Sequence, residues 1–397
     1  MQLRQPASRR RLPRVCESAR RHDPRRGARL QVPLSSCQDL PVPEGASMTR
    51  IAVGRADIAA VEVLDEFSAP VSEGQVRLAV GVFGMSANNI SYAMTGEFLG
   101  YWAHFPVDEE RGCVPVWGFA DVVESRHPDI EVGERIFGYL PMATELVVQP
   151  DAVTDLAFSD SIEHRSTLHP WYRRLYRCAT DPAHAADAEG LQATVWALFM
   201  TGWAIADDLA DSVRTVVVSS ASSKTSLSLA WAMSQLGVDV EVIGLTSASN
   251  IGFVAGADIY DSVRVYDDLS LSDLQGPVAY VDVAGNAGMK ERVHAALGDR
   301  LTDSLIVGGT HRGGDRATGR LIGPDPRFFF IPDVAENAAD GHAGFHARFA
   351  AALGEFSPWI AELIELDQAT GVAAVVATYE ELLTSRPGPN RSKVLSW

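Results

Sequence analysis

The sequence predicts a two-part α/β protein: a compact barrel of short strands, then a doubly wound parallel sheet. Three observations carry this. From Met48 to Pro150, short apolar or alternating runs recur between turn signals, as in a small barrel. From Thr215 onward, apolar strands alternate with amphipathic helices, as in a parallel sheet with crossover helices. Between the two, residues 191–209 are helical in pattern and dense in apolar side chains.

In chain order, residues 1–47 hold ten arginines and four acids and lack the apolar core of a secretory signal. They read as an extension without a fold of its own, or as translated sequence ahead of a start at Met48. Strands are expected at 51–54, 58–64 and 75–83, with a loop at 84–89 and a short helix or turn at 90–95. An aromatic, proline-punctuated segment at 101–106 follows, and strand character resumes at 114–124, 133–139 and 145–148. Residues 169–178 read as helical, 181–189 as a loop, and 191–209 as a helix mildly broken at Gly202. In the second half, strands are expected at 216–219, 238–243, 263–266, 278–283 and 304–307. Helices are expected at 225–236, 248–254 and 287–297. Residues 328–331 look like one further strand, and 342–383 look mostly helical, with breaks at Gly354 and Pro358.

Composition narrows the function classes. The formal charge of −17 is unevenly spread: +6 in residues 1–47 and −23 from Met48 onward. An acidic body repels nucleic acid and anionic lipid, so neither is an expected partner. No apolar run approaches the roughly 20 residues that span a bilayer. Cys16, Cys37, Cys113 and Cys178 form no C-x-x-C pair and no zinc spacing with histidine. They read as reduced thiols of a cytoplasmic protein. The hydrolase signatures G-x-S-x-G and H-E-x-x-H are absent.

The most informative run is Thr215-Val216-Val217-Val218-Ser219-Ser220-Ala221-Ser222-Ser223-Lys224-Thr225. A β-branched strand, a tight turn, an amphipathic helix stopped by Gly237 and a second strand open a dinucleotide-binding unit. Turn amides and the positive end of a helix suit a phosphate. The usual glycines are replaced by serines, a lysine and a threonine. Either the hydroxyls and Lys224 hold the phosphates, or the turn no longer binds a dinucleotide. Lys224-Thr225 does not end a nucleoside-triphosphate loop, because Val218 and Ser223 stand where that loop needs glycine.

The order of parts, with several short motifs, resembles the medium-chain dehydrogenase/reductase superfamily. Gly74 to Val80 through Ser86-Ala87-Asn88-Asn89 resembles its barrel strand and the loop that reaches the active site. Pro115 to Glu124 followed by Gly133 to Gly138 resembles its "P-x-x-G-x-x-x-x-V-x … G-D-R-V-x-G" region. Gly256-Ala257-Asp258 before residues 263–266 and Asp282-Val283-Ala284-Gly285 resemble two segments of its nucleotide half. The zinc-carrying Gly-His-Glu is replaced by Trp117-Gly118-Phe119. The chain is therefore more similar to the zinc-independent quinone and enoyl reductases, and more narrowly to an uncharacterised bacterial domain family, DUF2855.

The resemblance implies a GroES-like β-barrel catalytic domain, residues 48–190 and 325–397 with a helical insertion. It also implies a Rossmann domain, residues 191–324. It implies hydride transfer between a nicotinamide and a quinone, enone or similar small molecule, with no metal. Ser220, Ser222, Ser223, Lys224 and Thr225 would hold the cofactor phosphates. Thr246 and Ser247 would lie near the adenosine ribose. No acid follows the second strand to hold a ribose 2′-hydroxyl, which favours NADP(H) over NAD(H). Asn88 and Tyr92 would polarise and protonate the substrate. Tyr101, Trp102, Trp117 and Tyr139 would form an aromatic substrate wall, while His104 and His169 read as structural or surface histidines. A homodimer is the assembly this class allows. The rival expectation is a non-catalytic dinucleotide-binding or sensor protein that kept the fold.

Overall fold

The strand Val76–Met85 is the hub of the antiparallel half. The structure is a computed structural model that describes residues 47–307, 321–384 and 387–397, so the reading of 1–46 lies outside it. Val76–Met85 pairs antiparallel with Pro115–Ser125, Glu145–Val148 and the C-terminal strand Arg391–Ser396. Register shifts at Arg77/Leu78 and Val80/Phe83 let the sheet coil. Its side chains are buried along most of its length, which explains why this run is apolar rather than strictly alternating. A separate three-stranded sheet joins Ser47–Gly54 to Val61–Phe67 and Arg111–Gly112.

The six parallel strands stack in the order Ser262–Val265, Glu241–Thr246, Thr215–Val218, Val278–Asp282, Leu301–Ile306, Arg327–Phe328. In chain order this is 3-2-1-4-5-6, with the direction of winding reversing between Thr215–Val218 and Val278–Asp282. All four residues of Thr215–Val218 are buried. A central parallel strand is covered on both faces, so it reads as an unbroken β-branched run.

The helix Glu189–Leu209 packs against Lys224–Leu236 and runs on through Gly202. Gly202 is not a break but the point of closest approach. A Cβ there would lie 2.5 Å from Thr225 O and 2.6 Å from Leu229 N.

Further local expectations are corrected. Residues 169–178 are not one helix: Pro170–Arg173 forms a single turn, and Arg174–Arg177 is a strand between Arg135–Pro141 and Ala157–Asp160. Strand pairing buries Leu175 and Tyr176, and that tertiary gain overrides the local helical pattern. The second parallel strand begins at Glu241. Residues 328–331 split between the short edge strand Arg327–Phe328 and the helix Ile331–Glu336. The helix Gly341–Leu363 passes through Gly354 and Pro358 unbroken. Phe345, Phe349, Leu353, Phe356 and Ile360 are buried along one face, and this offsets the roughly 3 kcal/mol a proline costs inside a helix. A strand, Glu365–Thr370, interrupts the C-terminal helical region and lies parallel to Arg391–Ser396.

Gly202→Ala is expected to lower the unfolding free energy by about 1–3 kcal/mol through overpacking. Gly252→Ala, at a helical position with open space around the added methyl, is expected to be neutral or stabilising. Urea unfolding of the two variants checks both.

Candidate functional site

The serine turn sits at the carboxyl end of Thr215–Val218, at the switch point of the sheet. Ser219 is fully buried and ties the two halves of the sheet together. Its Oγ accepts from the amides of Val283 (3.0 Å) and Ala284 (2.9 Å) and donates to Asp282 Oδ1 (3.2 Å). Asp282 Oδ1 also accepts from Gly285 N, and Lys290 Nζ lies 3.4 Å from Oδ2. Ser220 then turns with φ at +51°, a conformation that costs a residue with a Cβ about 1–2 kcal/mol. Its amide donates to the Tyr266 hydroxyl at 2.7 Å, which holds the turn in place.

Ser223 caps the helix Lys224–Leu236, accepting from Ser226 N. Thr225, two positions further on, is a buried helix residue rather than the cap. Ser222 Oγ accepts from Asn250 Nδ2 at 3.1 Å, linking the turn to the segment after the second strand. Among the described residues, no acceptor within the chain engages the amides of Ser222, Lys224 and Thr225. Those of Lys224 and Thr225 are the orphan donors of a helix start. Lys224 is half-buried, its Nζ 3.4 Å from Arg391 O, and burial pushes its ammonium down to about 8.

This turn opens onto a cleft of about 1380 Å³ between the parallel sheet and the coiled sheet. Ser220, Ser222, Ser223, Lys224, Thr225, Thr246 and Ser247 all line it, as do Asn88, Tyr92, Tyr101 and Trp117. Among the described residues, four cations line it, Lys224, Arg292, Arg391 and Lys393, against the single acid Asp267. In a chain of net charge −17, that bias favours an anionic ligand.

At the other end, a capping box starts the helix Ala87–Met94. Ser86 Oγ accepts from Asn88 N, and Asn89 Oδ1 accepts from Ser86 N at 2.8 Å. Asn89 Nδ2 also donates to Pro115 O at 2.8 Å, locking the helix to the sheet. Asn88 and Tyr92 are four residues apart and share one helix face. Trp117 Nε1 donates to the Tyr92 hydroxyl at 3.3 Å. Burial pushes the Tyr92 phenol up, with Tyr101 adding to the rise and hydrogen bonds from Trp117 and Asn88 opposing it. Tyr92 is therefore a protonated phenol at neutral pH.

Trp102 and Tyr139 do not line the cleft. The Trp102 ring fills space that a Cβ at Gly96 or Gly112 would occupy. Tyr139 packs behind the cleft against Tyr172 (4.7 Å between ring centres), Trp117 (5.1 Å) and Tyr92 (5.5 Å). His104 lies edge-on to Tyr139 and Tyr172 at 5.3 Å. Burial lowers it to about 3, so it is neutral. His169 accepts from Trp171 N and sits 3.3 Å from Asp333 Oδ1. Sequence reasoning missed Trp171, Tyr172 and Trp196, which line the cleft. The Tyr172 hydroxyl lies 3.3 Å from that of Tyr101. The aromatic run around Trp171 was the available signal. It also missed Tyr266, Asn250 and Arg292 on the turn side. Among the described residues, no three His, Cys, Asp or Glu side chains group as a metal site would. No described helix is long and apolar enough to cross a membrane.

Residues 83–387 match the family model described as "Protein of unknown function (DUF2855)". No curated protein matches the chain by sequence. Among solved structures, the chain is similar to a Bacillus thuringiensis protein assigned as an NADPH:quinone reductase (12% identity, TM-score 0.58, covering 89% of this chain and 99% of that one). It is similar to a Coxiella burnetii quinone oxidoreductase (13%, 0.51, 89% and 100%). It is also similar to Vibrio vulnificus CurA in complex with NADPH (14%, 0.53, 88% and 98%). The architecture is thus that of the medium-chain reductases, a GroES-like barrel joined to a Rossmann sheet.

Ser219→Ala leaves the Val283 and Ala284 amides without this acceptor at a fully buried site. It is expected to cost about 2 kcal/mol or more, read as a lowered thermal midpoint.

Proposed function

The chain belongs to the DUF2855 family, and from its site we propose that it is an NADP(H)-dependent oxidoreductase that reduces a quinone, enone or similar conjugated carbonyl without a metal. One observation carries the reading: a phosphate-type turn, cationic and without an acid after the second strand, shares a cleft with Asn88 and Tyr92. The residues fit the cofactor. The amides of Ser222, Lys224 and Thr225, with the Lys224 ammonium, suit a pyrophosphate. Thr246 and Ser247 end the second strand, where hydroxyls tolerate a 2′-phosphate that an acid would repel. Arg292 Nη2 donates to Tyr266 O at 2.7 Å, just past the third strand, and supplies a cation on that side.

A bound nicotinamide supplies a hydride at one face of the acceptor. The chain's own residues do the rest. Asn88 polarises the acceptor oxygen. Tyr92, held by Trp117 through its oxygen, keeps its proton free to give to the reduced product, and the Trp117 N–H and Asn88 then stabilise the phenolate. Tyr101 and Trp117 flank the acceptor as flat walls. The acidic body argues against nucleic-acid partners.

NADPH is expected to bind about tenfold or more tightly than NADH, the worth of one charge-assisted contact to the 2′-phosphate. The Lys224 ammonium is present below about 8 and lost above it, so NADPH affinity should fall as pH rises through that value. Lys224→Met should weaken binding about tenfold at neutral pH and flatten the pH dependence. Fluorescence titration with both nucleotides reads all three. No response of folded protein to millimolar NADPH or NADH would sink the proposal. Binding without oxidation across quinones and enones would leave the sensor reading.

A further inference from the structure

We infer that the acceptor is an amphiphile whose flat oxygenated head sits among the cleft tyrosines and whose apolar tail leaves between Phe98–Leu99 and Phe328–Phe330. The inference rests on reading the tyrosine end as the acceptor pocket. The cleft that holds Tyr92, Tyr101 and Tyr172 is also lined by Phe98, Leu99, Phe328 and Phe330. Phe98 is 88% exposed and Phe328 52%. Large aromatics left in water beside a binding cleft mark a surface meant to be covered.

The two ends are continuous. Phe98 and Leu99 end the turn Gly96–Leu99, and Gly100, with φ at +77°, leads directly into Tyr101. On the opposite wall a chain of ring contacts runs outward. Tyr172 meets His169 (6.3 Å), His169 meets Phe330 edge-on (5.7 Å), and Phe330 stacks on Phe328 (5.9 Å). His169 joins these rings from behind, and the cleft wall itself runs from the Tyr172 phenol through Phe330 to the exposed Phe328. The cleft volume, about 1380 Å³, exceeds the ~300–1,000 Å³ typical of one small ligand. That leaves room for an extended second molecule beside a dinucleotide.

A second copy of the chain is the competing occupant of this rim. The edge strand Arg327–Phe328 is poorly suited to it. It is two residues long, and Arg327 is held by Asp208 and, at 2.8 Å, by Asp303. A very short, charged edge resists pairing with another sheet.

The test uses para-benzoquinones carrying methyl, butyl, octyl or decyl chains, without nucleotide. Binding is read as quenching of tryptophan fluorescence, since Trp117, Trp171 and Trp196 line the cleft. Each methylene that reaches the rim should tighten binding by up to about fourfold, the factor for full burial of a methylene. In Phe98→Ser and Phe328→Ser the gain per methylene should fall by at least half. Both positions are exposed, so the fold is expected to persist, which circular dichroism verifies. Equal affinity across the series in the parent, or an unchanged gain in both variants, overturns the inference. So does a Phe328→Ser variant that keeps the gain but loses mass in sedimentation, because the rim would then be an interface between copies. A chain-length gain with no response to NADPH keeps this inference and removes the oxidoreductase reading, so the two fail separately.

Discussion

The hydroxyl of Ser219 bridges the first and fourth parallel strands where the sheet changes its direction of winding. The nucleotide side of the cleft depends on that knot. It anchors the segment after Val278–Asp282 against the serine turn and engages Asp282 Oδ1, while Lys290 faces Oδ2. It also sets where the chain enters the left-handed conformation at Ser220. A glycine in the first place of the turn would leave those amides to seek other acceptors. The serines therefore split their duties: Ser219 builds the scaffold, Ser223 caps the helix, and Ser222 couples to Asn250.

The second dependency is the return of the C-terminus. Arg391–Ser396 pairs with Val76–Met85, with Lys393 opposite Met85, and so brings Arg391 and Lys393 to a cleft whose turn lies more than 160 residues earlier. Both cations are tethered by carboxylates, Arg391 by Asp367 and Lys393 by Asp367 and Glu381. Among the described residues no acid pairs with Lys224, and burial alone lowers it. On the proposed reading, Lys224 is the cation an incoming phosphate would pair with, which would hold its charge to higher pH.

Much of this architecture is legible in the sequence, because periodicity reports burial. The β-branched strand expected at 216–219 lies one residue earlier, at Thr215–Val218, and the helix Ala287–Leu297 stands where the pattern places it. The superfamily architecture follows from the order of parts. The residues proposed for the cofactor and for catalysis do come together on one cleft. What escapes the sequence is decided by register and packing depth. Trp102 and Tyr139 look like cleft aromatics but fill space behind it, whereas Tyr172, 71 residues from Tyr101, reaches it. Residues 169–178 keep a helical composition yet end in a strand, because two neighbouring strands offer their edges. Pro358 marks no break, because the helix face around it is buried.

The central claim is that the amides of the serine turn and the segment after the second strand hold a dinucleotide. Hydrogen–deuterium exchange with and without saturating NADPH tests it most directly. Exchange should slow at Ser222, Lys224 and Thr225 and across residues 246–250, and stay unchanged in the distant strand Val61–Phe67. Unaltered exchange throughout residues 219–250 at millimolar NADPH would contradict the account.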